Sequence, residues 1–178
     1  MIEDRIKWNK RYLEGRESAL HVTLTRFYNL ASPGKALDIA CGTGETSIFL
    51  AKKGFKVDAF DISDIAIRKA RQRARREGVK VNFKSVDAEK FSYGVSKYDL
   101  IINFYFLNRN IFSKIKRSLK QNGLLIFETY NEEHTSVRPD FNPRYLLKKG
   151  ELERVFRDFL LVYYCEVSNI TTLVAKKP

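Results

Sequence analysis

A short glycine-containing turn is the part of this sequence whose residues are best suited to chemistry. The stretch Leu37–Thr46 reads LDIACGTGET, so that an acid, Asp38, precedes Gly42 and Gly44. Glycine lets a backbone approach a ligand closely, and a helix that starts here presents unpaired N–H groups. Asp61 follows Gly42 by nineteen residues, at the end of a second apolar run. This order of strand, turn, helix, strand and acid predicts a site in which Asp61 binds ribose hydroxyls.

Alternating apolar strands and helical patterns must position this turn. We predict helices over residues 3–14 and 16–30, and strands over about 35–40, 56–61, 80–86, 98–104 and 124–130. Helices are predicted between them over about 44–53, from Ser63 or Asp64 to Gly78, and around Ile111–Leu119, closed by Gly123. Such alternation predicts a parallel sheet with helices on both faces.

The C-terminal part of the chain shows a different pattern. Residues 159–167 and 170–176 are two β-rich runs joined by Ser168 and Asn169, which predicts a hairpin and therefore an antiparallel last strand. Residues 131–149 are predicted to form a long irregular loop beyond the end of a strand, where function is often found.

Four motifs of the chain are similar to those of a known enzyme class. They are ALDIACGTGETSIFLAKKGFKVDAFDIS at the first two strands, NFKSVDA at 82–88, YDLIINF at 98–104 and GLLIFE at 123–128. Together they resemble the class I S-adenosylmethionine-dependent methyltransferases over roughly residues 30–178. The resemblance implies an α/β Rossmann-like fold, with a seven-stranded, mostly parallel sheet and an antiparallel strand in the C-terminal hairpin.

Within that class, the chain resembles the tellurite-resistance-type methyltransferases. The similar segments are NFYFLNR at 103–109 and YLLKKGEL at 145–152, together with Trp8 followed by Tyr12. The match implies a small acceptor, such as a thiol or a chalcogen oxyanion.

The resemblance also implies where S-adenosyl-L-methionine would bind. Asp61 would accept from both ribose hydroxyls, Ile62 would pack on adenine, and Asp87 would accept from the adenine amino group. Asp38 either orders the glycine turn or contacts the cofactor, and helix capping or turn formation remains the alternative role for Asp61 and Asp87. The expected cofactor contacts are Trp8, Tyr12, Asp38, Ala40, Gly42, Thr43, Gly44, Asp61, Ile62, Asp87, Ala88, Asn103 and Phe104.

Residues after strands four and five are the candidates for catalysis, namely Asn103, Tyr105, Arg109 and His134. Arg109 and His134, with Arg138 and Arg144, could bind an anionic acceptor or lie on the surface. His134 is the only plausible imidazole base, because His21 is assigned to the N-terminal helix. A soft thiol or chalcogen nucleophile needs little activation, since alignment and exclusion of water supply much of the catalysis.

Size and composition favour one domain over residues 1–178, with a helical cap at 1–30 and a cofactor-binding sheet domain at 31–178. No apolar run approaches the ~20 residues of a membrane span, no signal-peptide pattern is present, and the two cysteines lack metal-ligand spacing. We therefore expect a cytoplasmic protein without a metal or a membrane partner, either monomeric or a homodimer.

The net charge of +12 leaves nucleic acid as a possible partner. The cluster Arg68–Arg76 is either a solvated helix face or such an interface. The leading hypothesis is methyl transfer to a small molecule. An RNA or protein methyltransferase, a nicotinamide-nucleotide-binding oxidoreductase and a non-catalytic cofactor-binding protein are the alternatives.

Overall fold

A seven-stranded sheet organises the computed structural model, which describes residues 2–178. The strands lie in the order β3-β2-β1-β4-β5-β7-β6, with β7 antiparallel to both of its neighbours. Their bounds are β1 Lys35–Ile39, β2 Lys56–Asp61, β3 Val81–Ser85, β4 Tyr98–Phe104, β5 Leu119–Tyr130, β6 Leu160–Val167 and β7 Ile170–Lys176. The parallel strands and the antiparallel hairpin strand agree with the sequence prediction.

The helices are α1 Ile2–Leu13, α2 Val22–Phe27, α3 Glu45–Lys52, α4 Asp64–Arg76, α5 Phe112–Ser118, α6 His134–Val137 and α7 Glu151–Val155. Short 3-10 turns cover Tyr28–Leu30, Arg109–Ile111 and Pro143–Tyr145. None of the helices formed by residues 2–178 has the length and apolar character needed to cross a membrane.

Apolar side chains are buried on both faces of the sheet. Along β4, Ile101 belongs to one core cluster, whereas Leu100 and Ile102 belong to the other. All three are fully buried, as expected for a central parallel strand with helices on both sides. The sheet therefore holds the carboxyl ends of β1, β2 and β4 rigidly side by side.

The helix predicted over 16–30 is wrong in its first part. Residues 16–21 are not helical, and α2 begins only at Val22. Ser18 makes hydrogen bonds to Thr43 through both its backbone N–H and its hydroxyl group. A serine that bonds elsewhere in this way competes with helix formation.

Two further boundaries differ from the prediction. β5 begins at Leu119 rather than near 124, and Leu119 pairs with Tyr98 of β4 instead of continuing α5. The loop predicted over 131–149 contains α6 and a 3-10 turn, both too short to give a helical period in the sequence.

The basic helix α4 buries its small residues and exposes its charges. Ser63 caps it by accepting a hydrogen bond from the N–H of Ala66 at 3.0 Å, as the sequence predicts. Ala70 and Ala74 are buried, and Arg73 forms a 2.5 Å ion pair with Glu45 of α3. Part of the arginine cluster is thus used within the protein.

Gly44 provides a test of this packing. Its φ is +82°, and a Cβ at this position would lie 2.9 Å from the Phe83 ring and 3.0 Å from the Ala70 Cβ. Gly54 has a similar φ of +88° but has open space around it. We expect Gly44→Ala to lower the free energy of unfolding by about 1–3 kcal/mol more than Gly54→Ala, because both incur the left-handed backbone cost and only Gly44→Ala adds overlap. Urea denaturation of both variants measures the difference, and equal losses would contradict the packing role.

Candidate functional site

Unusual backbone conformations cluster at the carboxyl ends of β1 and β4. Ala40 has a φ of 54° and Tyr105 a φ of 53°, both in the left-handed region that non-glycine residues seldom adopt. Gly42, in the turn after β1, also has a positive φ. Backbone strain of this kind persists where the surrounding structure fixes it, and it is frequent at functional sites.

Asp61 joins the end of β2 to the glycine turn. Its Oδ2 accepts a hydrogen bond from the N–H of Gly42 at 2.9 Å, and its Oδ1 accepts one from the N–H of Ser63 at 2.8 Å. Burial raises the pKa of the Asp61 carboxyl, while these backbone hydrogen bonds oppose the rise. Each carboxylate oxygen has a further lone pair, which could accept a hydrogen bond from a ribose hydroxyl.

Asp38 holds the beginning of α3. Its Oδ2 accepts hydrogen bonds from the hydroxyls of Thr46, at 2.6 Å, and Ser47, at 2.5 Å. The side chain is buried, and this burial raises the pKa of the Asp38 carboxyl to about 6. Of the two roles that the sequence left open for Asp38, these contacts are those expected for ordering the turn.

The N-terminal segment lies directly over the glycine turn. The N–H of Ser18 donates to the Thr43 hydroxyl at 2.9 Å, and the N–H of Thr43 donates to the Ser18 hydroxyl at 3.0 Å. A Cβ on Gly42 would overlap the Ser18 hydroxyl and lie 2.7 Å from the Tyr12 hydroxyl. Gly42 is therefore needed because Ser18 and Tyr12 approach its backbone closely. Gly44 instead packs against Phe83 and Ala70.

α1 is attached beside this turn by polar contacts to α4. The side-chain oxygen of Asn9 accepts from the Ser63 hydroxyl at 2.6 Å, and the Lys69 ammonium donates to the Tyr12 carbonyl at 2.6 Å. Tyr12 is buried, and its ring centroid lies 6.1 Å from that of Trp8. Of the predicted pair, Tyr12 thus lies next to the glycine turn, and Trp8 packs beside Tyr12.

The residues expected near adenine lie after β2 and β3. Ile62 is half-buried and Ala88 is buried, while Asp87 is half-buried and accepts from the N–H of Glu89 at 2.9 Å. The N–H of Val86 donates to the Asp61 carbonyl at 2.9 Å, which keeps this segment beside the end of β2.

Asn103, at the end of β4, has a buried acceptor without a partner. Its Nδ2 donates to the Phe106 carbonyl at 2.7 Å, but within residues 2–178 nothing donates to its Oδ1. A buried polar atom left unsatisfied costs about 1–3 kcal/mol. A ligand carrying a donor, such as an ammonium group, would relieve that cost.

A second group of polar and aromatic side chains lies beside Asn103, and the sequence did not predict it. His21 precedes α2 and stacks on Phe104, with ring centroids 4.1 Å apart and planes at 8°. Its Nδ1 lies 4.0 Å from Oε1 of Glu128, a residue of β5 that pairs with Phe104. The one sequence signal for this group was Glu128, an acid at the end of the otherwise apolar run LLIFE. His21 was not recognised, because it was assigned to the helix predicted over 16–30.

His134 and Arg109 have partners that leave them little freedom. His134 is buried, stacks on Tyr130 with centroids 3.9 Å apart, and has its Nδ1 2.7 Å from the Asn169 amide. The Arg109 guanidinium binds both carboxylate oxygens of Glu151, at 2.6 and 2.8 Å, and two backbone carbonyls of residues 144 and 146. Arg109 thus anchors the loop before α7, and His134 packs against the Tyr130 ring.

Comparisons with known proteins agree with this geometry. Residues 36–123 match the model of the methyltransferase domain family. Ribosomal protein L11 methyltransferase of Campylobacter fetus is 27% identical over 164 residues, which is 88% of this chain and 54% of that protein. Ubiquinone biosynthesis O-methyltransferase of Pasteurella multocida is 26% identical over 160 residues, which is 78% of this chain and 66% of that protein.

Among solved structures, TehB from Haemophilus influenzae superposes with a TM-score of 0.79 at 18% identity, over 98% of this chain and 67% of that one. This likeness confirms the predicted Rossmann-like methyltransferase fold. The chain spans about half the length of the first curated relatives that it matches.

The buried Asp38 predicts a measurable pH dependence of stability. Its pKa of about 6 in the folded protein exceeds the usual value of 3.8, so the folded state keeps the proton longer than the unfolded state as pH rises. The free energy of unfolding should therefore fall, by about 3 kcal/mol for this group, between pH 4 and pH 7. Asp38→Asn does not titrate and should lack this component.

Urea denaturation of both proteins across that pH range tests the expectation. The stability of the wild type relative to Asp38→Asn should decrease steadily from pH 4 to pH 7. A difference that stays constant with pH would show that Asp38 does not titrate in this range.

Proposed function

We propose that this chain, whose residues 36–123 match the methyltransferase domain family, is a class I S-adenosylmethionine-dependent methyltransferase and transfers a methyl group from S-adenosyl-L-methionine to a small nucleophilic acceptor. The observation that carries the proposal is the Asp61 carboxylate, held by two backbone N–H groups beside the glycine turn. The cofactor, when bound, supplies an electrophilic methyl group attached to a sulfonium.

The described residues fit this cofactor. Asp61 can accept from the ribose hydroxyls, Ile62 can pack on the adenine, and Asp87 can accept from its amino group. At the other end of the site, the unpartnered Oδ1 of Asn103 offers an acceptor for the ammonium of the methionine part. Phe104 and Tyr105 add aromatic faces, which attract a sulfonium cation.

The N-terminal segment serves in this proposal as a cover over the site. Tyr12 and Ser18 lie on the glycine turn, and Arg16 is close enough to Asp61 to lower the pKa of that carboxyl against the effect of burial. A cover of this kind excludes water from the site and orders the reactants. Trp8 and Tyr12, expected from the sequence as cofactor contacts, form part of this proposed cover.

A small acceptor is favoured over RNA or protein by the surroundings of the β4 end. This end of the sheet is filled by the packed rings of His21, Phe104, Tyr105 and Tyr130. The segment 16–23 also covers it, through the contacts of Ser18 with Thr43 and of Thr23 with Glu128. The basic helix α4 precedes β3 at the far edge of the sheet, on the side opposite to β5. A polynucleotide held along α4 would not obviously reach Asn103.

The family resemblance suggests a thiol or a chalcogen oxyanion such as tellurite as acceptor, and the fold of TehB is compatible with it. The L11 methyltransferase relative keeps a protein acceptor as the second candidate. Offering labelled cofactor to thiols, tellurite, total RNA and ribosomal protein in parallel distinguishes these acceptors.

Asp61→Ala tests the cofactor site. The variant removes two charge-assisted hydrogen bonds to ribose, each worth about 1.5–3 kcal/mol before compensation, so we expect the affinity for adenosylhomocysteine to fall at least tenfold. Asp158→Ala, which removes an exposed acid paired with Lys116, serves as control. Isothermal calorimetry measures both, and unchanged affinity in a folded Asp61→Ala would refute the ribose assignment.

Deleting residues 2–20 tests the cover. Tyr12 is the only fully buried apolar side chain that the described part of this segment contributes, so the sheet should remain folded. Affinity for adenosylhomocysteine should fall at least tenfold, because water then reaches the glycine turn. Circular dichroism checks folding and calorimetry the affinity; a folded truncated protein with full affinity would exclude the cover.

A further inference from the structure

Two titratable side chains, His21 and Glu128, face each other at the end of β4 and β5. The His21 ring lies flat against Phe104, and its centroid is 5.2 Å from that of Tyr105. The 4.0 Å separation of His21 Nδ1 from Glu128 Oε1 is within ion-pair distance. The side chains are 18% and 11% exposed, so the pair lies at the mouth of the site with limited access to water.

Hydroxyl groups from two elements fix the Glu128 carboxyl group. Thr172 of β7 donates to its Oε2 at 3.0 Å, and Thr23 of α2 donates to the same oxygen. Burial and the nearby charge of Glu128 raise the pKa of Tyr105, which follows β4. The carboxyl group is therefore oriented before any substrate arrives, and its Oε1 is the oxygen directed at His21.

The imidazole is suited to accept a proton. Burial lowers the pKa of His21, and the charge of Glu128 opposes this effect. The titratable groups that face His21 from the neighbouring elements are Glu128 and Tyr105. Nδ1 can carry the proton that faces Glu128, while Nε2 has no hydrogen-bond partner among residues 2–178 and is left with a free lone pair.

We propose that His21 is the general base of the methyl transfer, positioned by Glu128, and that the acceptor therefore carries a hydroxyl group of the phenol class. This inference rests on the proposed function and narrows its acceptor. In the reaction, the acceptor oxygen forms the bond to the methyl carbon as the methyl–sulfur bond breaks. The electron pair of that bond stays on sulfur, and the acceptor proton moves to Nε2 of His21.

The location of the pair supports a role in catalysis. Glu128 pairs with Phe104 across the sheet, and Phe104 follows Asn103, whose buried Oδ1 has no hydrogen-bond partner among residues 2–178. A soft thiolate or chalcogen anion needs no base, whereas a phenol with a pKa near 10 gains from one. A half-buried imidazole held against Phe104 is thus suited to a hydroxyl acceptor.

A cavity lies on the side of Glu128 that carries Oε2. Thr23 and Thr172, which both donate to that oxygen, line this cavity of about 180 Å³ between α2 and the C-terminal hairpin. The rings of Phe27 and Tyr163, which pack on each other with centroids 5.2 Å apart, form its aromatic wall. The guanidinium of Arg26 lies over both rings and offers a cation to a carboxylate on an acceptor.

The test compares His21→Gln and Glu128→Gln with Glu132→Gln, a change at an exposed acid outside the site. The full-length protein is assayed with catechol and 3,4-dihydroxybenzoate as hydroxyl probes, and with dithiothreitol and tellurite as soft probes. We expect His21→Gln to lower kcat on the hydroxyl probes at least 100-fold and to remove the rise of rate with pH. KM and the affinity for adenosylhomocysteine should change less than threefold.

Glu128→Gln should lower kcat about tenfold and move the rise of rate to lower pH, because the negative charge that raises the pKa of His21 is gone. A structural role for Glu128 alone would not shift the profile. Nuclear magnetic resonance gives a readout independent of turnover: the chain has two histidines, and the pKa of the His21 ring should fall in Glu128→Gln.

Several results would overturn the inference. One is a wild type that turns over only the soft probes, or neither hydroxyl probe. A second is a pH profile that is retained in His21→Gln, or that is lost in His134→Gln instead. A third is a His21 pKa that does not change in Glu128→Gln. Failure of the wild type to bind adenosylhomocysteine in calorimetry would overturn the proposed function itself and is measured separately.

Discussion

The hydrogen bonds of one buried carboxylate, Asp61, connect the parts from which the site is built. One oxygen accepts from Gly42 in the turn after β1, and the other accepts from Ser63 at the start of α4. Burial disfavours the charge, and the two backbone N–H groups favour it. The shape of the glycine turn, the start of α4 and the charge available to the proposed ribose site therefore depend on the same side chain.

The acids of the site have separate tasks because their surroundings differ. Asp38 is buried under two hydroxyls and holds α3, while Asp61 is held by backbone N–H groups and keeps lone pairs for a ligand. Glu128 is oriented by hydroxyls and directed at an imidazole. Glu151 neutralises Arg109, which explains how an arginine close to the site becomes an anchor for a loop.

The N-terminal segment contributes as much to the site as the strand ends do. Asn9 and Lys69 fasten α1 to α4, Ser18 is bonded to Thr43, and His21 completes the wall beside Phe104. Because the residues between α1 and α2 are not helical, this segment can extend over the carboxyl ends of the strands. The proposed cofactor cover and the proposed base thus both lie in the same stretch of about twenty residues.

The sequence by itself determined the sheet and the cofactor motif, because local patterns encode them. β4 was predicted with its observed bounds, since seven residues that are apolar apart from Asp99 and Asn103 suit a strand buried on both faces. The cap of α4 was predicted at Ser63 or Asp64, and the structure has Ser63 there. The glycine turn and Asp61 were predicted from their spacing along one βαβ unit. Each of these signals lies within a few residues or within one repeating unit.

Tertiary structure decided what depends on partners far apart in the chain. Residues 16–21 leave the helix because Thr43 binds Ser18, and Arg109 is occupied because Glu151 lies opposite it. His21 and Glu128 meet across more than one hundred residues, so neither a period nor a motif could pair them. Hydrophobic periodicity fixes which face of an element is buried, but only the packed fold determines which polar groups meet at its end.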